Sequence, residues 1–403
     1  MQRVIFSADW HLGKKLHSVD LSEDMQKFFE WLLKKIQEQN VSYLLVAGDI
    51  FDSNNPPHEA IKMYYSFLAK LKDINCKAII IAGNHDSPSF IDVPKDLLSN
   101  FNVSVFGMFP GIENVKEIFV PILDNTGKEV AVVAAIPFLQ DRFVRQVGEG
   151  EGAKVIDEKI KQGMKKLFVQ IGDSLKEAYP NIPKIGMAHL HAQGETISEA
   201  ERDIQIGKQD GVPSNDLDQF DYLALGHIHI GHAVIKNKIQ YASSPISLGF
   251  TENTYNHKVV MLEIDNNEII ETEIKVPKHR SLYQVQGTMT EVTDKINSLK
   301  KKYSLQVLLD IKIVEDHYDP TIQDKLQALN EHLAIKGDMK IVNTRVQFKD
   351  KTSTLPTGSF DIKTINELDP EKVFKSYLDI RGEQDQDKLV EIFTEILSDL
   401  KQA

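Results

Sequence analysis

Five short stretches of the 403-residue chain gather aspartate, histidine and asparagine at close spacing. They are Asp9 and His11 in "SADWHLG", Asp49 and Asp52 in "GDIFD", Asn84, His85 and Asp86 in "GNHD", His189 and His191 in "AHLH", and His227 and His229 in "GHIH". Carboxylate, amide and imidazole are hard-to-borderline donors that suit Mn²⁺, Fe or Zn²⁺, and an aspartate can bridge two ions. The single cysteine, Cys76, lies outside all five stretches, which excludes a thiolate zinc site and an intramolecular disulfide. Taken singly, each stretch has an ordinary reading: a hydrogen-bonded pair for Asp9 and His11, a helix cap for Asp49, a satisfied core histidine for His189. Taken together, in order, they point to a site for two metal ions.

The elements that must carry these residues are legible in the hydrophobic pattern. "VIFSA", "YLLVAGD" and "CKAIIIAGNHD" read as buried strands, and each ends in one of the loaded loops. Between them, Met25, Phe28, Phe29, Leu32, Leu33 and Ile36 form a helical stripe, and "HEAIKMYYSFLAKL" a second amphipathic helix. Strand–helix–strand repetition predicts an α/β fold with a largely parallel sheet, and such sheets place ligands at the C-terminal ends of their strands. Glycines before Asp49, Asn84 and His227 allow the tight turns.

Further strands are expected at "EVAVVAAIP", "KIGMAHLH" and "DYLALGHIH", a flexible turn at 148–152 and a long surface helix over 155–178. Four antiparallel strands between 230 and 276 would close a domain of residues 1–279. A small α+β domain over 280–349, a linker over 350–367 and two helices over 368–403 complete the layout.

The formal net charge of −12 speaks against a generic electrostatic binder of nucleic acid, although local basic patches remain compatible with it. Met1 to Phe6 is too short for a signal peptide, and no apolar run approaches membrane-spanning length, so a soluble, intracellular protein without a membrane partner is expected. No Gly-x-x-x-x-Gly-Lys-Ser/Thr sequence is present, and ATP hydrolysis by this chain is not expected.

Asp-x-His, Gly-Asp, Gly-Asn-His-Asp, a later His and Gly-His-x-His together resemble the calcineurin-like metallophosphoesterase superfamily. Within it, "FSADWHLG", "GDIFD", "IAGNHDSP", "LGHIH" and "YASSPISLGFTE" resemble the SbcD nucleases of bacterial SbcC–SbcD complexes, relatives of the double-strand-break repair nucleases of archaea and eukaryotes. The resemblance rests on motifs as far as about residue 280, and on layout beyond. It implies a four-layer α/β/β/α sandwich with a small capping domain and C-terminal helices. It also implies two Mn²⁺ ions (Fe or Zn²⁺ being compatible), one held by Asp9, His11, Asp49 and His229, the other by Asp49, Asn84, His189 and His227. His85 would be the catalytic histidine, either donating a proton to the departing sugar oxygen or screening developing charge.

Asp52, Asp86 and His191 are expected near the site rather than in it. Asp86 either orients His85 through a ring N–H or serves as a cap or turn residue. Lys14, Lys15 and His17, and Lys278, Arg280, Lys300, Lys301 and Lys302, are candidate phosphate contacts, with ordinary solvated positions as the competing reading. The terminal helices, with Phe374, Tyr377, Leu389, Phe393 and Ile396, would dock on the coiled coil of an SbcC-type, SMC-like ATPase, or else pack on their own domain. The resemblance further implies DNA ends and hairpins as substrates, a homodimer within a heterotetramer, and a cytoplasmic, nucleoid-associated protein.

A protein phosphatase is disfavoured, because Asp52 is followed by Ser53 and Asn54 where those enzymes continue Gly-Asp-x-x-Asp with Arg-Gly. A small-molecule phosphodiesterase and a metal-free scaffold for the ATPase are the competing functions.

Overall fold

The computed structural model describes residues 1–140, 143, 153–192, 212–349, 374, 378, 388–390 and 392–394, with side chains of the helix beginning at 153 described from 158 onward. The turn expected at 148–152, the linker at 350–367, and Tyr377 and Ile396 lie outside these residues.

Parallel strands β1 (Gln2–Ser7), β4 (Tyr43–Ala47), β5 (Lys77–Ile81) and β6 (Val103–Phe106) form one side of a six-stranded sheet. The antiparallel pair β13 (Lys258–Asp265) and β14 (Glu268–Lys275) extends it in the order β14-β13-β1-β4-β5-β6. A second six-stranded sheet has the order β11-β12-β10-β9-β8-β7. Its members are β7 (Phe119–Leu123), β8 (Glu129–Ile136), β9 (Lys184–His189), β10 (Tyr222–Gly226), β11 (Ala233–Ile235) and β12 (Ile239–Tyr241). Between β1 and β4 lies a short ribbon of β2 (Lys15–Leu16) and β3 (Val19–Asp20).

Alternation along the strands explains the layering. Val4, Phe6, Leu45, Ala47, Ile79 and Ile81 share one core with Val133, Ala135, Met187 and Leu225 of the second sheet. Their neighbours Ile5, Leu44, Val46, Ala78 and Ile80 turn to the opposite face, onto α1 (Ser22–Glu38) and α2 (His58–Asp73). Both faces of the parallel strands are therefore covered, as their continuous apolar runs require. The outer side of the second sheet receives Met164, Leu167, Phe168, Ile171 and Leu175 of the long helix Ala153–Ala178. The order of layers is helix, sheet, sheet, helix.

The four strands expected between 230 and 276 form two antiparallel pairs that divide between the two sheets. β11 and β12 join the second sheet, where β12 runs parallel to β10, while β13 and β14 join the first. β7 carries Pro121 and sits at a sheet edge, where a missing N–H costs no ladder bond.

After residue 280, β15 (Leu282–Gly287), β16 (Val307–Glu315) and β17 (Met339–Phe348) form a three-stranded sheet in that order, with helices Met289–Ser298 and Ile322–Lys336 between them. A capping box on Thr288 and Glu291 starts the first of these helices. The chain divides into two compact units, residues 1–284 with 300–310 and 333–343, and residues 285–299, 311–332 and 344–403. In the second unit the rings of Phe374 and Phe393 stack at 4.1 Å.

Trp10 shows how the core fixes the first chemical motif. Its indole is fully buried against Phe28, Phe29 and Phe67, with ring centroids 6.5, 4.9 and 5.4 Å away, and its Nε1 donates to Ser7 Oγ at 2.9 Å. Anchored among the helices, Trp10 leaves its neighbours Asp9 and His11 to the other side. Trp10→Ala should cost about 3–5 kcal/mol of stability, the usual range for emptying a large aromatic site. Urea unfolding followed by far-ultraviolet circular dichroism would measure it, and a loss below about 1 kcal/mol would contradict this account of the core.

Candidate metal centre

All five loops leave the C-terminal ends of strands: β1, β4 and β5 in the first sheet, β9 and β10 in the second. The β1–β4 register aligns Ser7 with Val46, and the pairing continues beyond the sheet. Asp9 N donates to Gly48 O at 3.1 Å, His11 N to Asp49 O at 3.0 Å and Leu12 N to Ile50 O at 2.9 Å. Two bonds bring the sheets together at this level. His227 N donates to Asp9 Oδ1 at 2.9 Å, and His189 Nδ1 lies 2.9 Å from Ala47 O.

The local backbone is unusual. Asp9, His11, Asp49 and His227 have φ of 55°, 45°, 50° and 104°, values that side-chain-bearing residues rarely adopt and that cost about 1–3 kcal/mol each where they are strained. Gly48 also has positive φ, and a Cβ there would meet His189 Nδ1 at 2.3 Å. Gly83 has a different reason, since its Cβ would stand 2.1 Å from Asp49 Oδ1.

Three groups of donors result, with the donor atoms of each within 4.8 Å of one another: His11, Asp52 and His85 toward the rim, and two deeper sets, Asp9, His11 and His229, and Asp49, His189 and His227. Asp49 faces both deeper sets. Its Oδ2 lies 3.5 Å from His11 Nε2 and 3.4 Å from His189 Nε2. Asn84 Oδ1 joins the second of them, 2.8 Å from His189 Nε2 and 3.0 Å from His227 Nδ1.

The donors fit a divalent cation. His189 Nδ1 is directed at a carbonyl, so its Nε2 faces only the acceptors of Asn84 and Asp49. His229 Nδ1 is directed at Glu252 Oε1 at 2.8 Å, and its Nε2 meets His11 Nε2 at 3.2 Å, two nitrogens converging on one place. Asp9 Oδ2 is buried and has no hydrogen-bond partner among the described residues. Such a site binds divalent metal ions.

Burial works against charge on these groups. It pushes the Asp9 carboxyl up to about 7, with His189 and His229 pulling it back, and the His11 imidazole down to about 4 in spite of Asp52. Burial and the neighbouring His189 hold His227 well below the ordinary imidazole value. For Asp49, burial is outweighed by His189 and His11, which keep the carboxyl well below its usual range. Burial is likewise outweighed for His189, raised to about 9 by Asp49 and Asp9.

His85 lies at the rim. Its Nδ1 is 2.9 Å from Asp52 O, its Nε2 3.9 Å from Asp49 Oδ2, and its ring centroid 4.6 Å from that of His11. Asp52 Oδ1 sits 3.3 Å from His11 Nδ1 and 3.1 Å from Lys14 Nζ. His191 is half-buried with its ring 6.2 Å from that of His227, and neither of its nitrogens has a partner among the described residues.

Several expectations are corrected here. Asp86 does not orient His85: its carboxylate accepts from the amides of Ile50, Phe51 and Gly83 at 3.1, 2.9 and 2.8 Å and ties the second and third loops together. Arg280 is not available to phosphate, being buried with its guanidinium on Asp24 at 2.8 Å and on Gln306 O. Lys278 is likewise engaged, its ammonium held by Asn253 Oδ1 at 2.6 Å. Lys14 is occupied with Asp52, while Lys15 and His17 are exposed. Lys300, Lys301 and Lys302 are exposed too, but they follow the helix that ends at Ser298 and form no helical face.

One contributor escaped the sequence reading. Glu252 is fully buried behind His229, and the only hint of it was its place in "GFTE".

Residues 2–231 match the family model for the calcineurin-like phosphoesterases, and residues 278–381 that for the type 5 capsule protein repressor C-terminal domain. Over 412 aligned residues the chain is 29% identical to the SbcD component of the SbcCD nuclease of Escherichia coli K12, covering 99% of this chain and 98% of that one. It is also 29% identical to the SbcD component of the same nuclease in Rhodobacter capsulatus, over 65% of this chain and 66% of the relative. A dimetal phosphatase from Danio rerio superposes with a TM-score of 0.41 at 10% identity, over 69% of this chain and 97% of its own, too loose a likeness to argue from.

Without an ion, His189 and Asp9 hold protons near neutral pH, and a divalent ion must displace them. Raised pKa values mean that this competition weakens as pH rises. Divalent-ion affinity should therefore climb from about pH 6 to about pH 9. Calorimetry in buffers of different ionisation enthalpy should register proton release at neutral pH that fades above that window, and a flat affinity across it would contradict the assignment. The strand-end loops, the two deeper donor sets and a family match running through more than half of the sequence agree, and the chain belongs to the calcineurin-like phosphoesterases.

Proposed function

We propose that the chain is a Mn²⁺-dependent DNA nuclease, the hydrolytic component of an SbcC–SbcD-type repair complex acting on DNA ends and hairpins. The observation that carries this reading is the Asp49 carboxylate, set between two histidine–carboxylate groups 3.5 and 3.4 Å away. The near full-length likeness to the SbcD component of the SbcCD nuclease supports the substrate class.

In this reading Asp9, His11, Asp49 and His229 hold one ion, and Asp49, Asn84, His189 and His227 the other. Ions so held supply Lewis acidity toward the phosphodiester and lower the pKa of an attacking water. His85 directs Nδ1 to Asp52 O, which turns Nε2 toward the cluster, where it donates a proton to the departing sugar oxygen or screens the charge developing there. Asp52 stands beside His11 and Lys14 with its carboxylate and meets His85 with its backbone carbonyl. Asp86 holds the loops that bear Asp49 and His85 at a constant spacing.

Residues 280–349 help hold duplex DNA, with exposed Lys300, Lys301 and Lys302 as phosphate contacts. The C-terminal segment docks on the coiled coil of an SMC-like ATPase through Phe374, Leu389 and Phe393. Half-buried Ile61, Met63 and Tyr65 of α2 contribute to a homodimer. Among the described residues no helix is long and apolar enough to cross a membrane, which accords with a cytoplasmic, nucleoid-associated role.

His85→Ala should reduce Mn²⁺-dependent cleavage of DNA by about 10²–10⁴-fold while leaving Mn²⁺ stoichiometry unchanged, whereas Asp49→Ala should lose both. The assay uses end-blocked and hairpin duplexes with and without the ATPase, alongside a chromogenic phosphodiester. Turnover of the chromogenic ester with no DNA cleavage would replace the proposal with a small-molecule phosphodiesterase, and turnover of neither with a scaffold.

A further inference from the structure

The metal-centre reading assigns no role to the buried carboxylate behind His229. Glu252 lies in the short 3-10 turn Phe250–Thr254, fully shielded from solvent. Its Oε1 is 2.8 Å from His229 Nδ1 and its Oε2 accepts from Leu248 N at 2.8 Å. The next residue, Asn253, faces elsewhere. Its Oδ1 accepts from Lys278 Nζ at 2.6 Å and from Leu282 N at 2.9 Å, and its backbone carbonyl also accepts from Lys278. One turn thus grips a candidate metal ligand with one side chain, while the segment entering β15 grips the next.

A second brace reaches the turn from His257. Its Nδ1 lies 2.7 Å from Ser244 O and its Nε2 3.0 Å from Ser247 Oγ, which in turn donates to Glu252 O. The Lys278–Asn253 contact is a further brace on the turn, and its lysine is half-buried.

We propose that Glu252 is a positioning residue for His229, and that the clamp of Lys278 and Leu282 on Asn253 sets how firmly one of the two ions is held. This rests on the two-ion reading above. A carboxylate behind a ligating imidazole fixes its tautomer and raises its basicity. The contrast with His189 makes the effect selective, because His189 leans on the neutral carbonyl of Ala47. Loss of the Glu252 charge should consequently weaken one ion and spare the other. The clamp acts at a distance, through the placement of Glu252 alone.

The test is a Mn²⁺ titration of the full-length chain, read by the electron paramagnetic resonance signal of free Mn²⁺. The wild type should bind two equivalents. Glu252→Gln should weaken one of them by about 10–100-fold and leave the other unchanged, the range typical for loss of a residue that orients a metal ligand. Asn253→Ala and Lys278→Met should weaken the same equivalent by a smaller factor, about threefold or more. Wild-type binding of both equivalents in Glu252→Gln, or an equal fall in both, would overturn the positioning role. Wild-type binding in both clamp variants would overturn the clamp. Should Glu252→Gln fail to fold, the clamp variants, which alter no ligand, carry the test by themselves. A wild type that binds no Mn²⁺ would instead overturn the two-ion reading, a separate outcome.

Discussion

Asp49 Oδ2, enclosed in the protein interior within 3.4 to 3.9 Å of three imidazole Nε2 atoms, is the contact around which this fold is arranged. Those imidazoles come from three loops in both sheets, so the contact exists only if the sheets stack with their strand ends level. The cross-sheet bonds from His227 to Asp9 and from His189 to Ala47 hold that level from within the site itself. A carboxylate in such a place is tolerable because its neighbours share its charge, and because divalent ions can take up what the imidazoles do not.

The strain accepted here is correspondingly large. Four of the seven candidate ligands occupy left-handed backbone, and none is a glycine. Curling the chain immediately after each strand lets Asp9 and His11, and then Asp49, turn into the same hollow. The ladder bonds between the loops and the three amides on Asp86 hold the curls in place.

Much of this was legible in the sequence, because the features concerned are local. The strand-end motifs, the α1 stripe and the long helix over 155–178 each depend on a few neighbouring residues, and all three stand where the pattern put them. What was not legible depends on distant partners. Arg280 reads as a phosphate contact until Asp24, 256 positions earlier, is found bonded to it. Glu252 stands 23 residues from His229, and nothing in the spacing announces their contact. The split of β11–β14 between two sheets follows from pairing preferences that alternation alone leaves undecided, and β7 is short and carries a proline.

The residue between Asp9 and His11 has a practical consequence. The chain contains two tryptophans, and Trp10 is one of them, wedged among phenylalanines with its indole N–H on Ser7. The protein thereby carries an intrinsic fluorophore in covalent contact with its first motif. Any settling of that loop as ions arrive would be written into the colour and intensity of the emitted light, with no label attached.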